Sequence, residues 1–176
     1  MEDFKNLHLS NQLCFALYSA THEVTKSYRK HLSEIGLTYP QYLVMLVLWQ
    51  YQDQHINNLA DRLRFGQSTL IPILNRLESV GFIIRKTECK EIISLTARGK
   101  EIQQQTSQIQ QQVSCETGLT EQEYVELRDR LESMLENFKF NLKRKLDAVL
   151  PSESPKQTDP TRRNHVKAFY TAKQGK

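Results

Sequence analysis

Apolar residues recur every three or four positions along most of this chain, and the recurrence is broken at a few glycines and prolines. A first helix is predicted from about Ser10 to Ile35, with Leu13, Leu17, Ala20, Val24 and Leu32 on one face and Gly36 at its C-terminal cap. Thr38 then caps a helix that carries Pro40 in its first turn, where a missing N–H costs nothing. That helix, YPQYLVMLVLW, is apolar nearly all round and is expected to be the buried centre. INNLADRLRF follows as a short helix with Leu59, Ala60 and Leu63 on one face, and the chain turns at Phe65–Gly66. The next helix carries Leu70, Ile73, Leu74, Leu77 and Val80 as a stripe and is closed by Gly81. Pro72 looks out of place inside it. A cap at Thr69 would put the proline in the first turn with no bond lost, whereas a cap at Ser68 would cost one.

Period two replaces period 3.6 after Gly81. Ile83–Ile84 and Ile92–Ile93 mark two short strands joined by a tight polar turn at about Thr87–Lys90. Thr96 opens a helix expected to run to about Ser114, in which seven glutamines between Gln103 and Gln112 read as a solvated face. Gly118 breaks the chain. Thr120 and Glu123 form a capping box, with Leu119 and Tyr124 as its staple, for a last helix to about Leu150. Leu127, Leu131, Met134, Leu135, Phe138 and Leu142 make its stripe, and Pro151 ends it. The stretch PSESPKQTDPTRR holds three of the five prolines and is expected to be mobile, with at most a short helix near 166–170 beyond it.

Helix, turn, helix and hairpin in this order predict a mainly α fold with a small β-hairpin wing, a winged helix-turn-helix whose second helix enters the DNA major groove. Its polar side offers Gln67, Ser68, Thr69, Asn75 and Arg76 to base edges and phosphates, with Arg85, Lys86 and Lys90 as the basic candidates of the wing. Residues 1–150 read as one such domain, with the DNA-reading part at about 55–96. Long helices at about 8–36 and 97–150 have apolar stripes to spare, which a symmetric homodimer would bury. The same symmetry would set two recognition helices about one turn of double-stranded DNA apart.

Composition narrows the class. No apolar run approaches the roughly 20 residues of a membrane span, the longest being Tyr42–Trp49, and the polar start MEDFKNLHLS does not read as a secretory signal, so a cytoplasmic protein without membrane contact is expected. The five histidines and three cysteines show neither metal-ligand spacing nor a disulfide framework, and neither metal nor cofactor is expected. Net charge is +4, but residues 139–176 hold ten Lys or Arg against three Asp or Glu, leaving −3 on the rest. A basic tail at 151–176 suits a polyanion partner, and equally a solubilising extension.

Cys14 lies in NQLCFALY. By itself a cysteine on an apolar helix reads as a packed small hydrophobe. Tyr18 is one turn further along the same side, and Tyr28 shares approximately that face but lies about 21 Å along the axis at 1.5 Å per residue. In an antiparallel pair of first helices, Tyr28 of one subunit would approach Cys14 of the other. Phenol hydroxyls donating to sulfur favour the thiolate, the form that attacks peroxides.

NQLCFALY, SYRKHLSEIGLTYPQYLVMLVLW and the helix-turn-helix after them resemble the MarR-type regulators, specifically their organic-hydroperoxide-sensing (OhrR-like) branch of two-cysteine type, over about residues 7–138. The resemblance implies a dimeric repressor that leaves its DNA operator when an N-terminal cysteine is oxidised by an organic hydroperoxide. Cys14 matches that sensing cysteine, Tyr18 and Tyr28 match the tyrosines that bond it across the dimer, and Cys115 stands where some members carry a resolving cysteine. Cys89 has no counterpart. Two departures stand out: the Asp-x-Arg element common in the family's wing is missing, and Gly66 replaces an acidic residue before the recognition helix. Other readings are a regulator gated by a small aromatic compound, with Cys14 merely core, and a thiol peroxidase. The peroxidase would need a cation beside the thiolate, and the sequence neighbours of Cys14 are apolar or hydroxylic.

Overall fold

The computed structural model describes residues 7–87 and 91–149. Helix α1 (Leu13–Glu34) is followed by α2 (Tyr39–Tyr51), β1 (Gln54–His55), α3 (Ile56–Leu63), α4 (Gln67–Ser79), β2 (Ile83–Thr87) and β3 (Glu91–Leu95). Then come α5 (Ala97–Thr106), α6 (Ile109–Glu116) and α7 (Glu121–Val149). The chain divides into two units, Met1–Tyr124 and Val125–Lys176. Lys90, Cys89, most of the wing turn and the basic tail at 151–176 lie outside the described residues.

In the first unit α2 is the centre. Tyr42, Val44, Met45, Val47, Leu48 and Trp49 are buried, and each such side chain contributes about 1.5–3 kcal/mol of transfer free energy. Leu59 of α3, Leu70, Leu74 and Leu77 of α4, and Phe82, Ile83 and Ile93 of the wing join the same core. Thr38 and Gln41 close a capping box at the start of α2, with the Gln41 side chain accepting from the Thr38 N–H at 2.8 Å. Gly36, at φ +73°, ends α1 with the Leu37 N–H donating back to the Leu32 carbonyl at 3.0 Å.

The sheet is wider than the hairpin read from the sequence. Its order is β1-β3-β2, all antiparallel, because Gln54 and His55 pair with Ile93 and Ile92. Two residues of polar type carry no alternation, so this strand has no signature of its own.

Three boundaries also differ. The turn between α3 and α4 is made at Arg64, which takes the left-handed conformation at φ 55°, with the Phe65 N–H donating to the Ala60 carbonyl at 3.0 Å. Gly66 is thereby free to be the N-cap of α4, ahead of both Ser68 and Thr69. Pro72 consequently lies inside the helix, and the Ser68 carbonyl loses its i+4 donor. Finally, the helix expected from Thr96 to Ser114 is two helices. Around the break the Thr106 and Ser107 hydroxyls donate to the carbonyls of Gln103 and Gln104, each at 2.8 Å, which is the competition that short hydroxyl side chains offer a helix backbone.

The second unit is described through α7. Leu127, Leu135, Phe138, Phe140 and Leu142 are exposed on it, while Leu131 and Met134 are half-buried.

Candidate DNA-reading and redox site

The outward surface of α4 is set by what its inner surface buries. With Leu70, Leu74 and Leu77 in the core, the rows Gln67–Ile71–Asn75 and Ser68–Pro72–Arg76 stand exposed, as does Thr69. Gln67 Nε2 donates to Asn57 Oδ1 of α3 at 3.3 Å, tying the two helices at the turn. Asn75 Oδ1 accepts from Arg85 Nη2, so Asn75 is joined to the wing. Ile71 was not among the candidates from the sequence. Its signal was available in phase: it falls one residue after the buried Leu70, on the row of Gln67 and Asn75.

Arg85, a basic candidate of the wing, is held in ion pairs in this chain. It lies 3.3 Å from a Glu78 carboxylate oxygen and 3.2 Å from one of Glu91, and its side chain is only 19% exposed. It therefore braces β2 against α4 and β3. Lys86, the next residue, is exposed.

The C-terminal end of α4 is fastened to α5. Thr96 Oγ1 donates to the Gly81 carbonyl at 2.6 Å and accepts from the Gly99 N–H at 3.0 Å. Arg98 Nη1 donates to the Val80 carbonyl at 2.8 Å, and Trp49 Nε1 of α2 donates to the Gly99 carbonyl at 2.8 Å. A Cβ at Gly99 would lie 2.0 Å from the Phe82 carbonyl oxygen, so only glycine permits this approach. These contacts join the start of α5 to the end of α4 and to α2.

Cys14 is exposed near the start of α1, and so are Leu13, Phe15 and Tyr18 around it, Leu13 by 61% and Tyr18 by 69%. Tyr18 stacks on His22 with ring centroids 6.5 Å apart. Tyr28 is partly buried against Tyr39 at 4.9 Å and Tyr42 at 5.7 Å. Burial first, and the neighbouring Tyr42 second, push the Tyr28 hydroxyl far above the ordinary tyrosine range. Fourteen residues of one helix separate it from Cys14, about 21 Å, so within one chain Tyr28 does not reach the sulfur.

Cys115 is exposed on α6, in a cleft of about 410 Å³ that His31 and Glu116 also line. Glu116 clasps α6 to α1: Ser27 Oγ donates to its Oε2, and His31 Nε2 lies 3.3 Å from Oε1. The hydrogen bond from Ser27, then that from His31, hold the Glu116 carboxyl below its ordinary value. These three residues were not read as a group from the sequence, since 85 or more positions separate Glu116 from the other two.

A helix-turn-helix followed by an antiparallel wing defines a DNA-binding regulator of the winged-helix class. Residues 26–106 match the family described as transcriptional regulator SarA/Rot. The transcriptional regulator SarZ of Staphylococcus epidermidis is 37% identical over 135 residues, which cover 74% of this chain and 91% of that one. The organic hydroperoxide resistance transcriptional regulator of Bacillus subtilis is 40% identical over 100 residues, 54% of this chain and 68% of its own. Among solved structures, AbfR of Staphylococcus epidermidis is 34% identical, with a TM-score of 0.62 over 75% of this chain and 92% of that one. AbfR structures include a reduced form bound to DNA, an overoxidised form bound to DNA and a disulfide form. The chain belongs to the SarA/Rot family of transcriptional regulators, of MarR-like winged-helix type. No described helix is long and apolar enough to cross a membrane.

Proposed function

We propose that this protein is a homodimeric repressor that senses organic hydroperoxides through Cys14 and then releases its operator. The observation that carries the reading is the exposure of Cys14, one turn from Tyr18, on the part of α1 whose apolar side chains this chain leaves uncovered. A second copy laid antiparallel along α1 covers those side chains and brings Tyr28 of one chain to Cys14 of the other. Support for Cys115 as the resolving thiol comes from its place on α6, whose next residue touches Ser27 and His31 on either side of Tyr28 in sequence. An approach that serves Tyr28 therefore serves Cys115 as well. Ser27 is 13 residues from Cys14, about 20 Å along α1, so the pairing is between chains.

In the proposed chemistry the Cys14 thiolate attacks the terminal hydroperoxide oxygen. The O–O bond breaks, its terminal OH passes to sulfur as sulfenic acid, and the alkoxide leaves and takes a proton from solvent to become the alcohol. The Cys115 thiol then displaces water to form the disulfide. Drawing α6 toward the second copy pulls on α5, whose bonds to Gly81 and Val80 pass the shift to α4. Gln67, Ser68, Thr69, Asn75, Arg76 and Lys86 supply the DNA contacts in this reading, and Arg85 orients Asn75 and the wing. Peroxide-treated wild type should run as a linked dimer on a non-reducing gel. Cys115→Ser should form the sulfenate without the link, and Cys14→Ser should form neither. A linked dimer that persists in Cys115→Ser would remove Cys115 from the scheme.

A further inference from the structure

At the middle turn of the outward surface of α4 the polar residues stop. Gln67 and Asn75 are separated on their row by Ile71, 41% exposed, and Ser68 and Arg76 on theirs by the exposed Pro72. The two apolar groups are adjacent and form a step with no hydrogen-bond donor, since proline lacks the N–H. Neither is favoured there by the fold: Ile71 lies outside the buried core, and a proline inside α4 costs a helical bond. Base edges in the major groove present donors and acceptors at every pair, and one apolar group, the C5-methyl of thymine. An apolar step between polar readers is complementary to that group alone.

We propose that Ile71, next to Pro72 in the helix, is a specificity determinant that reads a thymine methyl near the middle of the stretch each α4 contacts. The proposal rests on α4 lying in the major groove, and it assigns to that surface a preference that hydrogen bonding cannot supply. Deoxyuridine, which differs from thymine by the methyl and keeps every donor and acceptor, isolates the effect.

The test uses the full-length reduced protein and a duplex selected by it from a random library. Thymines of the selected duplex are replaced singly by deoxyuridine and affinities measured by fluorescence anisotropy. At one or two positions in each half of the site, loss of the methyl should weaken binding about fourfold, the value of one buried methyl group. Ile71→Ala and Ile71→Ser should bind the thymine duplex more weakly and lose most of the difference between thymine and uracil there. Arg76→Ala should weaken both duplexes equally and retain the difference. A selected duplex indifferent to uracil everywhere would overturn the role of Ile71 while leaving α4 as the reader. Undiminished uracil sensitivity in both Ile71 variants would do the same. Failure to enrich any duplex would instead overturn the groove placement itself.

Discussion

The proposed reading of DNA and the observed hold on α6 can each be tested through one side chain. Arg76 is exposed on the outward row of α4, so Arg76→Ala should cost about 1–3 kcal/mol of operator binding. Its thermal unfolding should match wild type, because the core face of α4 is untouched. Equal affinity of the two proteins at matched salt would remove Arg76 from the interface. Glu116 makes a pH-dependent prediction. Its carboxyl is held below the ordinary value of 4.5, so the clasp to Ser27 and His31 contributes stability that is present above that value. The contribution is lost as pH falls through the lowered one. Urea midpoints measured downward from pH 7 should therefore fall more steeply below about pH 4.5 in wild type than in Glu116→Gln. Parallel curves would mean the clasp contributes nothing.

Among the elements, those with a strong period were legible and those fixed by single bonds were not. The α2 helix was readable as the core because eight of its first ten positions after the cap are apolar or aromatic, and the burial of Leu48 and Trp49 follows. Gly36 and Gly81 marked their helix ends because a left-handed residue is cheapest as glycine. Arg64 escaped the same reasoning, since an arginine in that conformation leaves no trace in the sequence, and with it went the true start of α4. The break at Ser107 was hidden because Thr and Ser within a polar helix are common, and only the hydroxyl bonds to Gln103 and Gln104 show which pair interrupts the ladder. The candidate site was half legible. The polar candidates of α4 were chosen by residue type and stand exposed, whereas the ion pairs of Arg85 with Glu78 and Glu91 could not be seen in the sequence. The junction at Gly99 is a further test at this scale. Gly99→Ala drives a methyl into the Phe82 carbonyl and should cost about 1–3 kcal/mol as overpacking, with operator affinity falling as α4 shifts. A variant with unchanged unfolding midpoint and affinity would show that α5 and α4 are not rigidly joined.

For the whole molecule, the charge distribution and the switch are the two properties to be tested. Residues 139–176 carry +7 in a chain of net +4, and the wing lacks the Asp-x-Arg element of its family resemblance. If the tail supplies phosphate contacts, deleting residues 151–176 should flatten the slope of log affinity against log salt concentration. An unaltered slope would make the tail a bystander. The proposed switch rests on Cys14, and the most direct measurement is operator affinity of the reduced full-length protein before and after one equivalent of an organic hydroperoxide, in wild type and Cys14→Ser. Wild type is predicted to bind tightly when reduced and to release after treatment, with recovery on adding dithiothreitol, while Cys14→Ser binds and ignores the oxidant. Release of Cys14→Ser at the same dose, or retention of DNA by oxidised wild type, would contradict it.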